Sequence, residues 1–224
     1  MGKTNEYGAT GSLIGFIYQI YYFLYRLLTI QDGEAVSLER IDDVGVEAGD
    51  RCTYYQLKHS INSKPEAIKR MVDRDTDLWK TLNLWINIIK KQGDDNAQRR
   101  WIENSEFVLI SNKTMENNRF FELVEAYKKN DSEWAALEKY LSEQAAKEPK
   151  GKDDTDVEKE KKNIFQYTKN VNDYALKKEF LKHVTAEFES DEELTAKINS
   201  EIQYKKHIPE KRVSDMRTML IGGG

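Results

Sequence analysis

An aspartate, a glutamine and a lysine lie close together in one short polar segment of the chain, IDDVGVEAGDRCTYYQLKH. Its two halves alternate apolar and polar residues on either side of AGDR, which predicts a β-hairpin. With AGDR as a four-residue loop, Glu47 faces Cys52 and Asp43 falls directly opposite Gln56. Opposed residues on one face have Cβ atoms about 4.5–5.5 Å apart, and Lys58, two residues beyond Gln56, shares that face. The pattern predicts that a carboxylate, an amide and an ammonium group converge.

These three groups together suit phosphodiester hydrolysis. A hard divalent cation such as Mg²⁺ takes carboxylate, amide carbonyl, backbone carbonyl and water oxygens as ligands. Lys58 cannot bind a metal, but its ammonium group can orient a water molecule or neutralise charge that develops on a phosphate. The alternative is a surface hairpin with an Asp–Lys ion pair worth less than about 1 kcal/mol. The residues alone leave both interpretations open.

The composition limits the classes of function. The chain has 224 residues, enough for one large domain or one domain with an appendage, and its net charge is −4. A nucleic-acid contact would therefore need a local basic face. The single cysteine, Cys52, excludes an internal disulfide framework and favours a reducing, cytoplasmic location. The chain has no Ser-His-Asp set and no Gly-rich phosphate loop, which argues against a serine hydrolase and an ATPase.

One long apolar run, LIGFIYQIYYFLYRLLTI, precedes the hairpin. It is barely long enough to span a bilayer, it contains Gln19 and Arg26, and no basic leader or small-residue cleavage site accompanies it. We therefore expect a buried core helix and no membrane partner. Ser12 is its expected N-cap, after a loose leader at residues 1–10.

The remaining pattern predicts an α/β protein. AVSLER, DDVGVEA and RCTYYQLKH have strand character, a helix is expected from Asn62 to its end at Gly93, and EFVLISN is a short buried strand. Beyond Asn112 the pattern is mostly helical, with a possible short strand between the segments NDYALKKEFLKHVTAEF and DEELTAKINSEIQYKKH and a charged linker or insertion near residues 147–162. We expect a mixed sheet flanked by helices over residues 1–112 and a helical extension over residues 113–224.

These elements resemble the PD-(D/E)xK nuclease superfamily, with its restriction-endonuclease-like sheet: an apolar helix, a strand carrying Asp, a Gln-x-Lys strand, and a helix. Glutamine at the usual acidic position is similar to the Mrr-like branch of restriction endonucleases. SLERIDDVGVEAGDRCTYYQLKHS and GSLIGFIYQIYYFLYRLL look more closely like the N-terminal double-stranded DNA endonuclease domain of anti-phage effectors of the CBASS and Lamassu types. FLKHVTAEF resembles its later helix and strand. The resemblance covers most of residues 11–112 and, more weakly, 175–203.

The resemblance implies a set of site residues and a metal, Mg²⁺ or Mn²⁺. Asp43 would be the principal metal ligand, Gln56 the ligand at the second position and Lys58 the catalytic lysine. Three further contributions would come from Glu39 as an additional acid on the preceding strand, the backbone carbonyl of Leu57, and Gln19 approaching from the first helix. Whether Asp42 or Asp43 binds the metal stays open, although the hairpin register favours Asp43.

The resemblance also implies a function. The chain would be a metal-dependent DNA endonuclease that cuts double-stranded DNA as the effector of a bacterial anti-phage defence complex, with protein partner subunits and homo-oligomerisation on activation. The apolar stripes FFELVEAY and WAALEKYL are either assembly surfaces or the caps of a single monomeric lobe. Of the basic residues that cluster after the site, several are expected to line one side of a DNA channel and others to face solvent, because the helix is amphipathic: Lys58, Lys64, Lys69, Arg70, Arg74 and Lys80. The alternative is a catalytically inactive nuclease-fold subunit that binds protein partners.

Overall fold

Five strands form one mixed sheet between two layers of helices in the computed structural model, which describes residues 4–60, 70–149, 151 and 155–205. The strands are neighbours in chain order: β1 (Glu34–Leu38), β2 (Val44–Ala48), β3 (Arg51–Lys58), β4 (Ser105–Ser111) and β5 (Val184–Phe188). The first three are antiparallel, and β4 and β5 continue the sheet in parallel with β3. The expected α/β class with a mixed sheet flanked by helices is confirmed.

The β2–β3 hairpin has the predicted register, with Glu47 opposite Cys52. Its turn is shorter than predicted, because Ala48 also pairs with Arg51 and only two residues connect the strands. Gly49, the first of those two, has a φ of +65°, a conformation that glycine adopts without steric cost in two-residue turns. The shorter turn leaves the pairing farther along the hairpin unchanged.

Two helices, α2 (Thr76–Lys90) and α3 (Asp95–Glu103), connect β3 to its parallel neighbour β4. The prediction of one long helix from Asn62 is wrong for the described residues before Asp75, which are not helical. The Asp75 side chain accepts a hydrogen bond from the Asp77 N–H and so caps the start of α2. Met71, in the expected helix, instead donates its N–H to the Thr114 carbonyl. Residues 61–69, including Lys64 and Lys69, lie outside the described part of the chain.

Helix α1 (Thr4–Thr29) and helix α8 (Asp191–Lys205) cover one face of the sheet. Tyr18 and Tyr22 of α1 are buried there against β2, β3 and β4. The helix begins at Thr4 rather than after Ser12, because no residue before Ser12 breaks it and each added residue extends an existing hydrogen-bonded helix. Its outer face stays exposed, so α1 is only partly the buried core helix that the sequence predicted. Within the described residues, no helix is both long and apolar enough to traverse a bilayer.

The second layer contains the main hydrophobic core, in which Phe107 of β4 packs against Trp85 of α2. Besides α2 and α3, this layer contains α4 (Arg119–Lys129), a 3₁₀ turn at Asp131–Glu133, α5 (Trp134–Ala145), α6 (Asp156–Asp173) and α7 (Lys177–Lys182). The apolar stripes expected to be assembly surfaces are buried here: Phe120, Val124 and Leu141 are fully enclosed. That expectation is wrong because the partners of these stripes belong to the same chain.

The charged segment near residues 147–162 is only partly a linker. Its last part begins α6 at Asp156, where the Thr155 side chain accepts a hydrogen bond from the Glu158 N–H. Helix formation there is supported by burial of Ile164 and Val171 farther along α6. The short strand expected between the last two helical segments is β5, and it lies at the end of the first segment rather than between them. The division of the chain at residue 112 stays a prediction, and β5, from beyond residue 112, pairs with β4 in the same sheet.

Candidate active site

The predicted polar side chains meet at the end of the β2–β3 hairpin that is remote from its turn. Asp43 directly precedes β2, and Gln56 and Lys58 lie in the last part of β3. A small cleft of about 170 Å³ opens here. Its lining consists of Glu39, Arg40, Ile41, Asp42, Asp43, Gln56 and Leu84. Four residues expected from the sequence, Glu39, Asp42, Asp43 and Gln56, therefore share one cleft.

The Asp43 carboxylate takes the place of a strand partner for β3. Its Oδ2 accepts hydrogen bonds from the Gln56 side-chain amide and, at 2.7 Å, from the Leu57 backbone N–H. Because β2 begins only at Val44, no backbone carbonyl of β2 pairs with the Leu57 N–H. The N–H and C=O of a strand residue point toward the same neighbouring strand, so the Leu57 carbonyl is also directed to the Asp43 side. The Gln19 side chain approaches Asp43 from α1 and lowers the pKa of its carboxyl group.

Asp42 is a buried carboxylate that the sequence analysis left as an alternative ligand. It is 7% exposed, and it accepts hydrogen bonds from the Trp85 indole N–H at 2.5 Å and from the Asp43 backbone N–H at 3.0 Å. Side-chain alternation predicts that only one of the two aspartates faces Gln56, and that residue is Asp43. Asp42 also lines the cleft, because it precedes β2, which starts at Val44, and is not held to strand alternation.

Glu39 lies one residue after the end of β1 rather than on the strand. Its φ of 54° is left-handed, which is uncommon for a residue with a side chain, and its N–H donates to the Asp43 carbonyl at 3.0 Å. This bond closes the loop between β1 and β2 and brings the Glu39 carboxylate to the cleft. The expected strand through Arg40 is therefore two residues too long.

Burial raises the pKa of all three carboxyl groups, and the Asp43 charge adds to the rise at Asp42 and at Glu39. Burial raises the pKa of Asp42 to about 6, with the Trp85 hydrogen bond opposing and the Asp43 charge adding to the rise. Burial also raises the pKa of Asp43, opposed by the Leu57 N–H bond and by the charge of Lys58. The pKa of Glu39 is raised by burial and by Asp43. Lys58 is the one lysine whose charge lowers the pKa of both Asp42 and Asp43 among the described residues.

The oxygen atoms around Asp43 suit a hard cation. The candidate ligands are the Asp43 carboxylate, the Gln56 amide oxygen and the Leu57 carbonyl, a mixed oxygen set that Mg²⁺ or Mn²⁺ accepts together with water. Asp42 is less available, because each of its carboxylate oxygens accepts a protein hydrogen bond. In the described ranges no three His, Cys, Asp or Glu side chains are grouped to hold a metal. A site here would therefore depend on amide and backbone oxygens.

Trp85 is the site residue that the sequence analysis missed. Its position in an apolar helical stripe predicted a core side chain, and its ring is fully buried. A buried indole N–H usually has a hydrogen-bond partner, and here that partner is Asp42. The sequence did contain a signal for this contact. A buried tryptophan needs an acceptor for its indole N–H, and Asp42, beside a predicted strand, is an acidic residue with no partner assigned from the sequence.

The expected basic side of the site is present in part. Lys80 is exposed and lies one helical turn before Leu84, which lines the cleft. Arg70 is also exposed, whereas Arg74 is half-buried and contacts Gln144. Lys58 is half-buried on β3. Lys58 and Lys80 are therefore the basic residues of this set that the fold places beside the cleft.

Comparisons with protein-family models, with curated proteins and with solved structures give no match for this chain. The resemblance to PD-(D/E)xK nucleases therefore stays an expectation from the sequence. What can be argued about function depends on the geometry of the cleft.

The raised pKa of Asp42 makes a prediction about stability. A carboxyl group whose pKa is about 6 when folded and about 4 when unfolded stabilises the fold below pH 4, and this contribution is lost as the pH rises through 6. Asp42→Asn does not titrate. We expect its free energy of unfolding, relative to the wild type, to rise by about 2–3 kcal/mol between pH 4 and pH 7.5.

Urea unfolding at several pH values measures this difference, and Asp50→Asn in the exposed turn is the matched control. If the difference in unfolding free energy between Asp42→Asn and the wild type does not change with pH, the pKa of Asp42 is not raised in the folded protein.

Proposed function

We propose that this chain is a metal-dependent DNA endonuclease of the PD-(D/E)xK type that serves as the effector subunit of a bacterial anti-phage defence complex. The observation that carries the proposal is the bonded pair of Asp43 and Gln56 at the end of the hairpin, with Lys58 following on the same strand. An Asp–Lys ion pair on the surface of a hairpin would need neither the Gln56 amide nor burial of the carboxylate. The buried carboxylates favour a site over a solvated hairpin.

Five residues at or beside the cleft have distinct roles in the proposed reaction: Gln19, Asp43, Gln56, Leu57 and Lys58. Asp43, Gln56 and the Leu57 carbonyl would hold Mg²⁺ or Mn²⁺, which when bound supplies a Lewis acid and a water of lowered pKa. Lys58 stabilises the negative charge that grows on the phosphate during attack. The Leu57 N–H and Gln19 fix the orientation of the Asp43 carboxylate.

The surroundings of the cleft support an anionic substrate. Lys58 and Lys80 supply positive charge beside it, and Arg40 lines it while paired with Glu47 at 2.8 Å. A phosphodiester backbone attracts such residues regardless of base sequence. These contacts would position double-stranded DNA over the carboxylates, which need the opposite charge of a metal before a phosphate can approach.

A plasmid assay tests the proposal. Supercoiled DNA is incubated with the full chain in Mg²⁺, in Mn²⁺ and in EDTA, with and without candidate partner subunits from the same defence complex. We expect weak nicking by the chain alone, stronger cutting with a partner, and none in EDTA. Metal-dependent cutting that is absent from a Lys58→Ala preparation supports the endonuclease. No metal-dependent cutting in any condition would favour the non-catalytic interaction subunit.

A further inference from the structure

The outer face of α1 is a stripe of large apolar side chains in water. Five of them are 41–58% exposed: Leu13, Phe16, Ile17, Ile20 and Tyr21. Their spacing of three and four residues places them on one side of the helix, opposite the buried Tyr18 and Tyr22. Contiguous apolar patches of this kind mark interaction surfaces, whereas scattered exposed apolar residues do not.

The size of the outer stripe, the five residues just named, is suited to a protein interface. At roughly 150–250 Å² per large side chain, five side chains about half exposed leave on the order of 450 Å² of apolar surface in water. A stable interface buries about 800 Å² on each partner, with an apolar centre and a polar rim. The stripe is large enough to be that centre.

The lack of charged residues along this part of α1 favours a second copy of the chain over a different partner. No charged residue occurs from Gly11 to Tyr25. The stripe therefore has no charge with which to select a complementary charged surface. An uncharged apolar stripe is complementary to itself, and a two-fold axis places the same residues on both sides of an interface. Two helices that pack by such stripes bury them completely.

We propose that the outer stripe of α1 is the interface of a two-fold symmetric homodimer. Phe16 lies one turn before Gln19, which contacts Asp43, so the interface and the cleft are neighbours on the same helix. The dimer holds two clefts in a fixed two-fold relation. A duplex presents its two antiparallel strands with the same symmetry. This last consequence, a paired cut of both strands, depends on the proposed endonuclease function.

Sedimentation velocity on the full chain without DNA tests the dimer independently of any activity. We expect the wild type to be a dimer at micromolar concentration, and Ile17→Glu, in the middle of the stripe, to raise the dimer dissociation constant at least 100-fold. Val157→Glu is the matched control, because Val157 is an exposed apolar residue on a different helix, α6. Circular dichroism checks the fold, and Leu13→Gln provides a milder second variant.

A wild type that stays monomeric at about 100 μM, or a dimer that both α1 variants leave intact, would overturn the interface. The plasmid assay then separates the two proposals. Nicking that persists in Ile17→Glu while linear product is lost supports both the dimer and the nuclease. A dimer without metal-dependent cutting supports the interface and removes the endonuclease.

Discussion

Lys58→Ala is expected to reduce DNA cleavage by at least about 100-fold, the loss typical when a group that stabilises transition-state charge is removed. The charge of Lys58 acts on both Asp42 and Asp43, and in the proposed reaction the same ammonium group would face the phosphate of the substrate. The measurement is the rate of plasmid nicking at saturating Mg²⁺. Circular dichroism and thermal unfolding check that the variant is folded, because loss of the Lys58 charge leaves the negative charges of Asp42 and Asp43 less compensated.

Two matched variants make the Lys58 experiment specific. Lys58→Met keeps most of the side-chain volume and removes only the charge, so it should lose as much activity as Lys58→Ala. Lys139→Ala removes a lysine that is highly exposed on α5 and should leave the rate unchanged. Wild-type cleavage by a folded Lys58→Met protein would remove Lys58 from the reaction.

Asp43→Asn is expected to lose metal-dependent cleavage by about 100-fold to 1000-fold. Asparagine keeps an oxygen for the Leu57 N–H but removes the negative charge that would hold the cation. We therefore expect a weakened affinity for Mn²⁺ in a calorimetric titration together with the lost activity. The fold should persist, since the pKa of Asp43 is raised by burial and its charge does not stabilise the folded state.

The same substitution at the neighbouring residue, Asp42→Asn, distinguishes Asp42 from Asp43 as the candidate metal ligand. Both of its carboxylate oxygens are engaged by the protein, so we expect it to retain more activity and more Mn²⁺ affinity than Asp43→Asn. The reverse order of damage would assign the metal to Asp42 and leave Asp43 as the residue that orders β3.

The hairpin could be predicted from sequence because local information determines it. Alternation of apolar and polar residues and one Gly-Asp turn were enough to place Asp43 opposite Gln56. The loop from Glu39 to Asp43 could not be predicted in the same way. Its shape depends on a left-handed Glu39 and on the Trp85 hydrogen bond to Asp42, which joins residues 43 positions apart.

Helical stripes showed where apolar surface lies, but not what covers it. The stripes of α4 and α5 suggested an assembly surface, and the structure buries them within the chain. The run in α1 suggested a buried helix, and the structure leaves one side of it in water. A 3.6-residue period is the same for both environments, so only the tertiary arrangement distinguishes a core from an interface.

The parallel pairing of β4 with β5 has a consequence for how the protein is made. The candidate metal ligands Asp43, Gln56 and Leu57 all lie before residue 60, so they leave the ribosome early. Yet β5 joins the sheet only after residue 188 is synthesised, and the Glu189 carbonyl then accepts the Tyr18 hydroxyl hydrogen bond that ties α1 to this edge. Contacts between residues so distant in the chain form late, because closing long loops is entropically costly. Translation itself thus delays completion of the sheet until most of the chain exists.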